Sequence, residues 1–169
     1  LERWAGGLME IPLLSRLRRN HAVEHATIAV LQHRRGRLSN SLGHSTPWSF
    51  HLHGPYSLEE VESAVQEALE RLRAGERHLA FTPFCGTNIA VTGALTASAA
   101  LVAAGRSKRD RWTNAVVAAT FATLLAARVG TWLQQFVTTD PRIGSLRVRR
   151  VVELPGYRDV RHIRVDLGS

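Results

Sequence analysis

The chain has 169 residues, 44% hydrophobic and 21% charged, with a net charge of +8 and one cysteine, Cys85. That composition excludes a disordered chain and an intramolecular disulfide, and allows one soluble domain or a small domain with membrane segments. The positive charge invites a nucleic-acid reading, but its distribution and the lack of a groove-reading motif argue against that partner. Every basic residue but Lys108 is Arg, most stand singly, and the densest run, RSKRDR at 106–111, lies between two apolar segments, where a basic loop faces lipid headgroups.

The only methionine is Met9, and the residues before it, LERWAGGL, lack the basic start, apolar run and cleavage site of a secretory signal. Residues 11–32 carry a helical pattern in which Leu14, Leu17, Ile28 and Leu31 recur at spacings of three and four or their sums. RRGRLSNSLGHST breaks it, with Gly36 and Gly43 as expected stops. WSFHLHG alternates like a strand. YSLEEVESAVQEALERLRAGE predicts a helix with Ser57 and Glu60 as a capping box, Gly75 as its end, and a stripe of Val61, Val65, Leu69 and Leu72. RHLAFTPF reads as another strand, stopped by Pro83.

The composition then changes. Residues 79–105 are 27 in a row without a charge, and 112–127 add 16 more before Arg128. A spanning helix needs about 20 predominantly apolar residues, so two fit, with Arg128 near one end where it can snorkel and with Trp112 and Trp132 as interfacial anchors. The competing reading is a buried helical hairpin in a soluble protein, since both segments are rich in Ala and Thr. Gly93 with Ala97, or Ala94 with Ser98, gives small-xxx-small spacing for close contact within the hairpin or between protomers. The tail, SLRVRRVVELPGYRDVRHIRVDLG, predicts two strands around a PGY turn that return to the strands of the first domain.

The chemistry concentrates in the first helix. His21, Glu24 and His25 fall within roughly a 100° arc that is also the apolar one. Buried there without partners they would cost several kcal/mol, so something must satisfy them. Histidines at i and i+4 converge on one metal ion, and H-x-x-E-H is the order of the inverted zincins, in which the glutamate acts as general base. A hydrogen-bonded structural cluster is an equal alternative, and haem or another cofactor a third. Cys85 is the first candidate for a further ligand, because it opens the apolar helix in FCGTN and a thiol at a helix N-terminus ionises more readily. The same stretch can also be a plain cap, with Thr87 or Asn88 bonding free amides. His51 and His53 are second candidates. His33, His78 and His162 carry no distinguishing context.

With NHAVEHATIAVL, RLRAGERHLAFTPFCGTN and FVTTD read together, the chain resembles a family of bacterial two-pass membrane proteins known as a domain of unknown function. The resemblance covers roughly residues 19–150 and marks His21, Glu24, His25, Cys85, Gly86, Thr87 and Asn88. Relatives carry a histidine before the proline of the CGTN segment, where this chain has Thr82, so that position is not a ligand here. The family supplies no activity.

The expected fold is therefore α+β: a helix/sheet domain at 1–84, a transmembrane helical hairpin at 85–136, and C-terminal strands at 137–169 completing the sheet. The expected function is a membrane protein with a zinc site at His21, His25 and Cys85, and with His51, His53 and Asn88 as further candidates. Catalysis, if any, would be hydrolytic with Glu24 as the base, a peptidase most simply. The alternative is a non-catalytic membrane subunit or scaffold with a structural metal or a hydrogen-bonded cluster. The expected partners are the lipid bilayer and a second copy or a membrane complex. With no export signal read before the hairpin, both soluble parts are expected in the cytoplasm.

Overall fold

The structure, a computed structural model, describes residues 11–36, 41–105, 109–158 and 160–169. The start around Met9 and the loop residues Arg106, Ser107 and Lys108 lie outside the described residues. The chain divides into two compact units, Leu1–Phe81 with Thr139–Ser169, and Thr82–Thr138.

The first unit is α+β. Helix α1 spans Pro12–Arg35, starting on a proline that gives up no needed donor and ending at Gly36 in the left-handed conformation (φ 65°). Strand β1 spans Leu42–Ser45, β2 spans Ser49–Gly54, and helix α2 spans Leu58–Arg73. The Ser57 hydroxyl accepts from the Glu60 amide while the Glu60 carboxylate accepts from the Ser57 amide, so the capping box forms as the sequence predicts. Strands β3, Arg147–Tyr157, and β4, Val160–Gly168, complete an antiparallel sheet of order β1-β2-β4-β3.

Alternation gives the sheet two different faces. Phe50 and Leu52 of β2 and Ile163 and Val165 of β4 are buried against Ala22, Val23, Ala26 and Val30 of α1 and Val61, Val65 and Leu69 of α2. His51, His53 and His162 occupy the alternate positions and point to the outer face. Along α1 the buried set differs from the expected stripe. Leu31 is buried, but Leu14, Leu17 and Ile28 are only partly so, and residues 22–27 are all buried.

Three local expectations are corrected. RHLAFTPF is not a strand: residues Arg77–Ala80 form a 3₁₀ turn. Between the reversal at Gly75 (φ 97°) and Pro83 the amides find nearer partners, Leu79 N–H on the Glu76 carbonyl and Phe81 N–H on that of His78, so no ladder forms. Gly43 is no helix stop but lies inside β1, a strand the sequence reading missed. The tail reverses after PGY, at Arg158 (φ 54°). Pro155 and Gly156 stay in β3, an edge strand, where the register shifts between Leu154 and Tyr157 and absorbs the missing proline N–H. Gly156 passes so near the Val160 carbonyl that a Cβ would collide with it.

The second unit is a helical hairpin of α3, Gly86–Ala104, and α4, Arg111–Leu133, the latter continued by a π turn, Gln134–Thr138. Both helices are long and apolar enough to cross a membrane. Within the hairpin the Thr96 and Thr123 hydroxyls meet at 3.0 Å. Gly93, Ala94, Ala97 and Ser98 are exposed, so the small-residue spacing is not spent inside the hairpin. Gln134 is buried and clamps the start of the unit to its end, its Oε1 accepting from Thr82 N–H (3.1 Å) and its Nε2 donating to the Thr82 carbonyl (2.8 Å). Cys85 takes the N-cap position of α3 without a side-chain cap. Asn88 does not bond free amides; its Nδ2 donates back to the Thr82 and Pro83 carbonyls at 3.3 and 3.2 Å.

Candidate metal centre

Four residues apart on α1, His21 and His25 present their rings to each other, centroids 4.2 Å apart and tilted by 60°. His25 is almost fully buried, 4% exposed, and His21 partly so. The His25 Nδ1 lies 2.8 Å from the Ala80 carbonyl oxygen. A carbonyl only accepts, so Nδ1 carries the proton and Nε2 keeps its lone pair. That is the arrangement of a metal-binding histidine, one ring N–H anchored on the protein and the other nitrogen available as a ligand. The 3₁₀ turn that replaces the expected strand is what sets the Ala80 carbonyl against α1. Thr139, fully buried, places its hydroxyl 3.5 Å from His21 Nδ1.

Glu24, 3% exposed, points to β1, where the Ser45 hydroxyl donates to its Oε2 at 2.5 Å. The carboxylate lies so close over Gly43 that any side chain there would collide with it. A buried carboxylate needs such donors, because desolvating it unpaired costs far more than a hydrogen bond returns. At the start of the hairpin helix, Cys85 is 4% exposed. His51 and His53 do not join the α1 pair; they stand on the sheet face turned away from α1. The partners Ala80, Thr139 and Ser45 were missed by the sequence reading, and a backbone carbonyl or a lone hydroxyl leaves no spacing signal to find.

Fold and site together define a class: an α+β unit with an H-x-x-E-H helix packed on an antiparallel sheet, interrupted in sequence by an apolar helical hairpin. The chain belongs to the family described as a domain of unknown function, DUF6391, which matches residues 16–151. An uncharacterized protein of Picosynechococcus sp. is 37% identical over 134 residues, 73% of this chain and 65% of that protein, so the chain spans less than two thirds of the relative's length. No solved structure matches significantly.

Proposed function

We propose that the chain is a two-span membrane protein with a zinc-class metal centre held by His21, His25 and Cys85. The observation that carries the metal reading is the Ala80 carbonyl on His25 Nδ1, which presents Nε2 as a ligand. Two imidazoles and a thiol suit zinc and exclude the oxygen-seeking magnesium and calcium. Cys85 follows Ala80 by five residues, so the chain tethers its thiol within about 17 Å of the carbonyl that fixes His25.

The membrane reading rests on the surface of the hairpin. Eleven large apolar side chains between Ile89 and Phe136 are exposed among the described residues, Leu101 and Trp112 at 75% and Phe121 at 69%. Each would forgo about 1.5–3 kcal/mol by facing water, which disfavours the soluble-hairpin alternative. Lipid is the partner that covers them, and the exposed Gly93 and Ala97 would suit a second copy within it.

In the catalytic form of this reading the protein is a hydrolase, a peptidase most simply. A bound zinc ion would supply the acidity that makes water a nucleophile at neutral pH. Glu24 would be the group to take the proton of that water, with its carboxylate oriented by the Ser45 hydroxyl. The second reading, a non-catalytic subunit, is favoured by the depth of His25 and Glu24 and by a thiolate ligand, which makes the ion a weaker acid.

Metal analysis of the purified full chain tests the centre. Close to one equivalent of zinc at this site should be lost in His21→Ala, in His25→Ala and in Cys85→Ser, and unchanged stoichiometry in the two histidine variants would sink it. For the base, Glu24→Gln should keep the metal and abolish cleavage of a fluorogenic peptide. Loss of the ion in Glu24→Gln would make Glu24 a ligand instead. A wild-type chain that holds zinc and cleaves nothing supports the subunit reading.

A further inference from the structure

Half of the chain's eight histidines stand together on the outer face of the sheet. His44 on β1 is the register partner of His51 on β2, and His53 on β2 is the register partner of His162 on β4. Pairing three strands in this register collects four imidazoles that the sequence spreads over 119 positions. His53 stacks on His162 with centroids 4.1 Å apart, His44 stacks on His51 at 4.5 Å, and His51 meets His162 at 5.1 Å. His51 Nδ1 and His162 Nε2 lie 2.9 Å apart.

We propose that this face is a second metal site, in which His44, His51, His53 and His162 bind a divalent first-row transition ion of the imidazole-favouring class, zinc or copper. It shares no residue with the α1 centre and does not depend on it. An all-imidazole donor set suits these ions and offers nothing to magnesium or calcium. With metal–nitrogen bonds of about 2.0–2.1 Å, two ligands of a tetrahedral ion lie roughly 3.3 Å apart. The His51–His162 pair needs to open by only a few tenths of an ångström. The contact needs one proton between the two nitrogens, and whichever ring carries it frees both facing lone pairs by moving it to its other nitrogen. The buried Ser49 hydroxyl stands 3.5 Å from His51 Nε2 and anchors the far side of that ring. His44 and His53, one ring away on either side, turn about their side-chain torsions to complete the set.

Electrostatics permits the ion. Burial first, then His44, His162, Arg164 and His53, lowers the His51 pKa to about 4, and burial with His162 and His44 also lowers that of His53. Arg164, the register partner of His51 on β4, has its charge offset by Asp166 at 3.0 Å.

The test uses the full chain in detergent with His21→Ala and Cys85→Ser, which silences the α1 centre, and zinc ion alone as the probe against a chromophoric chelator. One equivalent should still bind, and adding His51→Gln with His162→Gln should weaken it at least tenfold. His44 is exposed, so His44→Ala leaves the fold intact and should weaken zinc by a smaller factor. Cobalt should report the sheet site by d–d bands without the thiolate charge-transfer band that the Cys85 site gives. No zinc binding in the silenced chain, or binding indifferent to all three histidine changes, overturns the proposal.

Discussion

Ser45 donates to the buried Glu24 carboxylate and helps hold the glutamate against β1. Removing a hydrogen bond to a charged group costs about 1.5–3 kcal/mol, so Ser45→Ala should lower the thermal midpoint of the first unit clearly. Gly43→Ala should lower it too, by forcing the strand off the carboxylate. A melting curve unchanged in both variants would show that Glu24 is satisfied elsewhere. The H-x-x-E-H spacing was legible because helical periodicity places His21, Glu24 and His25 on one arc from local sequence alone. Its partners were not legible. Ala80 enters through a backbone carbonyl 55 residues away and Ser45 through a strand too short and polar to show alternation. Missing that strand also hid His44, and with it the four-histidine face.

Among the elements, α2 was the most legible, since its cap, stripe and stop are all local, and the structure has each. Ser57→Ala should cost about 1 kcal/mol by removing the cap. The Ser57 backbone amide holds the Glu60 pKa below its usual 4.5, helped by Arg35 against the opposing effect of burial. A depressed carboxylate pKa means stabilisation that is complete above 4.5 and lost as pH falls through the folded value. Glu60→Gln should therefore flatten the stability profile below pH 4.5, and an unaltered acid limb would remove the capping box from the account. The hairpin makes a sharper geometric claim through Thr96 and Thr123, whose hydroxyls touch. In a Cys85→Ser chain, Thr96→Cys with Thr123→Cys should oxidise to an intrachain disulfide seen as a mobility shift without dimer. Only intermolecular cross-links would place these positions between copies. The RHLAFTPF strand failed for a related reason: β-propensity in a short run says nothing about whether an edge is there to pair with.

At the scale of the whole molecule, the sequence reading reached the α+β sheet closed by C-terminal strands because alternation in the tail is clear. It could not reach the strand order, which depends on pairings more than a hundred residues apart. On the proposed two-span reading, the residues before α3 and after α4 share one side of the membrane, with the short loop opposite. Orientation then turns on basic residues close to the span ends, counted as Lys and Arg rather than as net charge. The loop offers Arg106, Lys108, Arg109 and Arg111. Against it stand Arg71, Arg73 and Arg77 before the first span and Arg142, Arg147, Arg149 and Arg150 after the second. Pairing Arg71 with Glu67 and Glu76, or Arg142 with Asp140, does not discount them, because acids contribute little to the bias. Seven against four predicts both ends of the chain in the cytoplasm and the loop outside. An impermeant thiol reagent applied to intact cells should label Ser107→Cys in a Cys85→Ser background and leave Ser169→Cys protected. Labelling of Ser169→Cys with protection of Ser107→Cys would reverse the topology, and would put the histidine sites on the outer side with it.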